Sequence, residues 1–355
     1  MTAPAASLVA FVAEELDRPI PTAVTAFAAE LAARGGRGVI GVLFYGSALR
    51  TGATDGLLDF YILLDELEAW DQTAFQRFGN RRLPPNVEYA ETTAAGMTLR
   101  AKLAVMTLAQ FVDHARALSL DTTIWARFAQ PAGLVHRRDA FAGRQVAEAV
   151  AGACRGAAWW AAHLGPERGT PAEFWRALFS KTYASELRVE GTGRPGSIID
   201  AAPERYDALL RLAWAAEGIA FAEDGEGAST VMPGEAGYPR LGLAPPSEVV
   251  DTRPSAGHDG GGLGASPSFV RPRLTEVERA DAKRAWATRA RLAKPLNLAR
   301  LAKAAFTFSG GADYLAWKIE RHSGHKIEVT PFQRRHPLLA AGPVLWSLWR
   351  KGVLR

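Results

Sequence analysis

Residues 39–66 constrain this chain more than any others. The run Val39 to Tyr45 is apolar and ends at Gly46-Ser47, and the run Leu57 to Leu64 is apolar throughout except for Asp59. Short runs rich in Val, Ile, Leu, Phe and Tyr, bounded by glycine, predict two strands. A carboxylate in the middle of such a strand is costly to bury unless it meets a cation or a hydrogen-bond donor. The second strand must therefore bring Asp59 to a place where something positive stands.

Strand, Gly-Ser, then an acid on the next strand twelve residues after the serine is the layout of a nucleotidyltransferase core. In that layout the glycine-serine backbone and hydroxyl hold a triphosphate, and the acid holds Mg²⁺ against it. Tyr45, Gly46 and Ser47 are then the phosphate turn and Asp59 the metal ligand. The general pattern has two carboxylates two residues apart, and the partner position here is Leu57. Asp55 is the expected second carboxylate, although an Asp before Gly56 suits a plain turn equally well.

Composition limits the rest. The 355 residues are 48% hydrophobic and 22% charged, which fits a soluble globular chain of two or three domains. The single cysteine, Cys154, excludes a disulfide framework and points to a reducing compartment. Glu14, Glu15 and Asp17 precede the first arginine, which speaks against a leader segment. No apolar run reaches the roughly 20 residues of a spanning helix. The expected location is the cytoplasm, peripheral at the inner membrane surface. Charge is uneven: residues 271–355 carry 18 Lys/Arg against 6 Asp/Glu, leaving a net −7 elsewhere under a total of +5. A basic tail on a mildly acidic body points to an anionic surface, nucleic acid or phospholipid.

Four regions are expected. Residues 1–140 read as the core domain: helical spacing over 7–34 broken by Pro19 and Pro21, the two strands, a helix or loop at 67–82, strands at 86–91 and 98–106, helices at 107–119 and 121–130, and LVHRRD closing the unit. Residues 141–216 read as a helical domain, broken at Gly165-Pro166 and restarted by Thr170 as an N-cap before Pro171, with Glu173 three residues on. Trp159-Trp160 reads as core. Residues 217–270 are rich in Gly, Pro and Ser and read as a partly disordered excursion. Residues 271–355 read as a basic region with helices over 274–292 and 296–306. Its end interleaves Leu345, Trp346, Leu348 and Trp349 with Arg350 and Lys351, as an interfacial membrane segment does.

Five short motifs, in order, resemble the mitochondrial-type phosphatidate cytidylyltransferases. FYGSALR and GLLDFYILLDE are similar to that family's YGSG turn and single-Asp strand, and Lys102 falls on a lysine in its next strand. IWARFAQP matches it at Arg127 and Pro131, TYASELRV at Tyr183, Glu186 and Arg188, and 303–318 at a lysine and a Tyr…Lys pair. Ala48 and Ser185 depart from it. The resemblance implies an α+β fold: a nucleotidyltransferase-type mixed sheet flanked by helices, a mainly helical winged-helix-like domain, and a basic C-terminal helical segment. It implies the substrates CTP and phosphatidic acid, Mg²⁺ as cofactor, an anionic membrane surface met by the basic C-terminal region, and no nucleic acid. Asp59, Lys102 and Glu186 would be catalytic, and Tyr45, Gly46, Ser47, Arg127 and Arg188 would bind nucleotide. Asp59 and Asp55 would face the metal. Transfer to another acceptor, or a non-catalytic protein docking to lipid or RNA, are the rival readings of the same core.

Overall fold

The computed structural model describes residues 2–94, 97–185, 198–223, 269–323 and 329–332. Its centre is a five-stranded mixed sheet of β1 (Val39–Tyr45), β2 (Leu57–Leu64), β3 (Asn86–Ala94), β4 (Met97–Thr107) and β5 (Ala132–Arg137), in the order β3-β4-β2-β1-β5. Only β2 and β4 are parallel neighbours. Successive side chains of a strand point to opposite faces, and β2 feeds two cores accordingly. Leu58, Phe60, Ile62 and Leu64 pack with Val24, Phe27 and Leu31 of α2 (Thr22–Gly35). Tyr61 and Leu63 belong to the larger core on the other face. β2 lies between β4 and β1, so Asp59 is not on a sheet edge.

That larger core joins the sheet to the helical part. It includes Leu8, Val12 and Leu16 of α1 (Ala3–Leu16), and Phe111 and Ala115 of α5 (Leu108–Ala115). Trp125 and Phe128 come from α6 (Thr123–Phe128), and Trp160 from α7 (Ala140–Leu164). Trp175 comes from α8 (Pro171–Ser185) and Trp214 from α9 (Pro203–Glu217). Three of these indoles donate to carbonyls, Trp160 to Ala117 at 2.7 Å, Trp175 to Tyr206 at 2.8 Å and Trp214 to Ala158 at 2.9 Å, whereas the buried Trp125 Nε1 meets no acceptor among the described residues. Apolar packing therefore runs without a break across residue 140. The Thr170–Glu173 capping box forms as expected.

After α9, β6 (Phe221–Glu223) pairs antiparallel with β7 (Val270–Pro272), and Gly169, between α7 and α8, bridges to Val270. Among the described residues the order here is helix, strand residue, helix, helix and a two-strand ladder. Residues 224–268 are the connection between the paired strands and lie outside the described residues. The paired ends of the Gly/Pro-rich stretch are ordered, because Val270 is buried in the core.

The structure refines or departs from expectation at several elements. β5 is a strand where only a closing segment was expected; its alternation is interrupted by Gly133 and it ends in arginines, as an edge strand can. The 67–82 stretch resolves into α4 (Ala74–Arg82), started by a Thr73–Gln76 capping box. α10 (Glu276–Thr307) is one helix running through Pro295, where two were expected. Its inner side is tied to the body at several levels. Arg289 donates to Ser119 O at 2.8 Å, and Arg300 grips Asp121 with a two-nitrogen fork at 2.5 and 3.0 Å. Lys303 donates to Leu83 O, Pro85 O and Asn86 Oδ1 at 2.6, 2.7 and 3.1 Å. These anchors hold the helix across the proline, which itself lies on the exposed side. Three of the tail's cations are thus engaged by the chain's own oxygens.

Asp121 makes this anchorage sensitive to acid. Burial works against its ionisation, yet His114 at 3.4 Å, the Arg300 fork and Thr123 outweigh burial and hold the carboxyl well below the usual range. A depressed carboxyl contributes stability that is fully present above the unfolded value of about 3.9 and is lost as pH falls towards the folded value. The thermal midpoint of the wild type should therefore drop below about pH 4. Asp121→Asn should already be low at neutral pH and should show a smaller acid step, read by calorimetric scans from pH 3 to 8.

Candidate functional site

The backbone register places one residue of each strand in a single row across the sheet: Ala132, Tyr45, Asp59, Lys102 and Tyr89. A neighbouring row runs Leu57, Arg100, Glu91. Positions two apart share a face, so Asp59, Lys102, Tyr89, Arg100 and Glu91 stand on the same side of the sheet as Tyr61. Asp59 and Lys102 are partly exposed, with Lys102 Nζ 3.9 Å from the Asp59 carboxylate. The carboxylate in the apolar strand thus has the cation that its burial requires.

β1 delivers the turn. Gly46 has φ +94°, a region that L side chains rarely adopt, and a Cβ built there would lie 3.0 Å from Asp59 Oδ2. Glycine is required both by the backbone and by the closeness of Asp59. Ser47 follows as the exposed first residue of the five-residue helix α3 (Ser47–Thr51).

α6 delivers Arg127 to the same face. Its Nη1 donates to Tyr61 Oη at 2.7 Å, and its guanidinium carbon lies 5.4 Å from the Tyr45 ring centre. Burial raises the Tyr61 phenol above its ordinary value, and Arg127 pulls in the other direction. Tyr61 therefore stays a neutral hydroxyl that accepts from the arginine, and two rings fix the cation beside the row.

The C-terminal helices close one side. Tyr89 N donates to Ser309 O at 2.8 Å, so the chain after α10 extends the β3 edge. Gly310 (φ +74°) turns it there, with room for no side chain, since a Cβ would sit 2.7 Å from Tyr89 O. α11 (Gly311–Ser323) follows over the sheet. Its Tyr314 ring is 5.8 Å from Tyr89, and Trp317 is flanked by Arg100 at 5.9 Å and Arg321 at 5.5 Å. Arg321 donates to the Asp55 carbonyl at 3.3 Å.

Of the expected site residues, Tyr45, Gly46, Asp59, Lys102 and Arg127 are brought together, and Ser47 follows directly on the turn. Asp55 is in the β1–β2 loop with an exposed side chain, held to α11 through its backbone oxygen. Glu186 and Arg188 lie outside the described residues. Tyr183 packs half-buried against the larger core. Tyr61, Tyr89, Glu91, Arg100, Trp317 and Arg321 were not singled out from the sequence. The signal for Arg100 was its spacing of two from Lys102, and for Tyr89 and Glu91 the alternation of NVEYAE.

Among the described residues, no group of three or more His, Cys, Asp and Glu that could hold a metal ion is present. The donor set in the row is one carboxylate, Asp59, beside Lys102, and Glu91 in the neighbouring row is engaged by Arg100 and Tyr89. This suits a hard cation that keeps water and phosphate oxygens as its other ligands, as Mg²⁺ does, and not a dedicated protein cage. A cavity of about 440 Å³ lies between α5 and α7, lined by Val112, Glu148, Arg155 and Glu217 among others, and none of its lining residues belongs to the row. No protein-family model matches the chain, and no curated protein matches it.

Proposed function

We propose that this chain transfers a cytidylyl group from CTP to phosphatidate, forming CDP-diacylglycerol and pyrophosphate. The observation that carries the reading is the Gly46 turn packed against Asp59, with Lys102 and Arg127 on the same face. One carboxylate beside a glycine turn and two cations is the equipment for a polyphosphate that arrives with its own metal. The five motifs shared with the phosphatidate cytidylyltransferases support the choice of nucleotide and acceptor.

In the reaction a phosphatidate oxygen bonds to the α-phosphorus of CTP as the bond from that phosphorus to the bridging oxygen breaks, and pyrophosphate leaves. The phosphomonoester is already ionised at neutral pH, so positioning and charge neutralisation carry most of the catalysis. Gly46 lets the backbone approach the phosphates, and Ser47 offers a hydroxyl. Lys102 and Arg127 neutralise phosphate charge, Arg127 from a direction set by Tyr61. Asp59 would hold Mg²⁺, with Asp55 as the second candidate. The metal supplies charge neutralisation at the leaving pyrophosphate.

One observation favours a second reading, a non-catalytic protein of this fold: Lys102 already pairs with Asp59, and Leu57 stands where a second carboxylate belongs. Titration calorimetry with Mg-CTP, followed by a pyrophosphate assay with and without phosphatidate, separates the two. Binding of Mg-CTP with release only when phosphatidate is present is expected. Absence of Mg-CTP binding overturns the proposal. No helix among the described residues is long and apolar enough to cross a membrane.

A further inference from the structure

The outer face of α10 is apolar where an exposed helix face ought to be polar. Leu298, Leu301 and Phe306 are 61–65% exposed. With Ala302 and Ala305 they follow the 3-4 spacing of one helix face. α4 packs on this helix through Gly79, whose Cα faces Lys303 and Thr307. Phe75 and Phe78, 61% and 57% exposed, sit four and one residues before that contact. Single exposed leucines are ordinary, but five large apolar side chains on two adjoining helices mark an interaction surface.

Its charge selects the partner. Residues 282–312 contain seven Lys or Arg and no acid, of which Arg289, Arg300 and Lys303 are turned to the body, and α4 contains three Arg and no acid. Arg291 and Lys294 continue the apolar stripe towards the helix N-terminus and are exposed. Arg82 is exposed as well, with its guanidinium 5.4 Å from the Phe78 ring. Glu68, next to α4, is paired with Arg81. We infer that the outer faces of α4 and α10 form a docking surface for an anionic phospholipid bilayer. Leu298, Leu301, Phe306, Phe75 and Phe78 enter the headgroup boundary, while Arg82, Arg291 and Lys294 reach the lipid phosphates along their aliphatic stems.

Rival occupants fit less well. A second copy using the same face would set two predominantly basic surfaces against each other. A nucleic acid would match the cations but leave the leucines against phosphates with nothing apolar to cover them. The inference goes beyond nucleotidyl transfer and does not depend on it. It places attachment on two described helices, whereas the sequence pointed to the end of the basic region 271–355, around Leu345 to Lys351, which lies outside the described residues.

The test is flotation of the full-length protein with phosphatidylcholine vesicles, with and without phosphatidylserine, in the absence of nucleotide. The wild type is expected to float with the anionic vesicles only, and less so as salt is raised. Leu298→Glu with Leu301→Glu should lower binding about tenfold or more with an unchanged thermal midpoint, since both side chains are exposed. Arg291→Glu with Lys294→Glu should lower it and weaken its salt dependence. The inference is overturned if the wild type does not float, or if the leucine variant floats like the wild type. It is also overturned if that variant changes the mass in solution, which assigns the face to a second copy, or if only Trp346→Ser with Trp349→Ser abolishes binding.

Discussion

Asp59→Ala is expected to lower pyrophosphate release by about 100-fold or more while the protein remains folded. The side chain stands at the solvent-facing end of its strand with about a quarter of its surface exposed, so its removal opens no buried cavity. What is lost is the negative charge that balances Lys102 and that would hold the metal on the triphosphate. Asp59→Asn keeps the shape and removes only the charge, so it should lose nearly as much activity as the alanine variant. A structural role would give the opposite order, with asparagine almost silent. Calorimetry adds a second readout: Mg-CTP affinity should fall in both variants, whereas CTP without divalent metal should be affected little. Full activity in Asp59→Asn would refute the assignment of this residue.

How legible this site was depends on how far apart in sequence its parts lie. Asp59 could be read directly, because one acid in an apolar strand has to be explained within that strand. Gly46 and Ser47 could be read with it, because turn and strand are neighbours in sequence. Lys102 came from family position; that it stands in register with Asp59 follows only from the parallel pairing of β2 and β4. Such a pairing needs a crossover, whose path short-range periodicity does not encode. The seating of Arg127 between Tyr45 and Tyr61 depends on packing between α6 and the sheet. The cover formed by Tyr314, Trp317 and Arg321 is further still, since it rests on contacts over more than two hundred residues. The same limit applies to α10. Local rules break a helix at Pro295, and the anchors that hold it together, Arg289 to Ser119 and Arg300 to Asp121, are long-range. Composition misled in one respect. A net charge of +12 over residues 271–355 looked like a surface property, yet part of it is buried and serves to fasten this helix.

Arg205→Met is expected to destabilise the protein by about 3–5 kcal/mol, because it strands a buried charge. Arg205 and Glu15 are both almost fully buried and joined by two hydrogen bonds, one of them 2.9 Å from Nη2 to Oε1. A third bond, from Arg205 Nη1 to Ala129 O at 2.9 Å, reaches the end of α6. Burial alone would disfavour the guanidinium, but Glu15 outweighs it and raises its affinity for the proton. Glu15→Leu should cost a similar amount by leaving the cation unpaired. The double variant Glu15→Leu with Arg205→Met should recover most of the loss, since apolar replacement of a whole buried pair is often neutral. Urea unfolding of the four proteins gives the coupling directly, and equal, additive losses would show that the pair is not what stabilises this junction. The function separates two roles for the pair. If it serves only to join α1 to α9, the double variant should regain activity together with stability. If the bond to Ala129 also sets α6, the restored fold should still bind Mg-CTP weakly, because Arg127 lies two residues before Ala129 and is aimed from that helix at the Asp59 row.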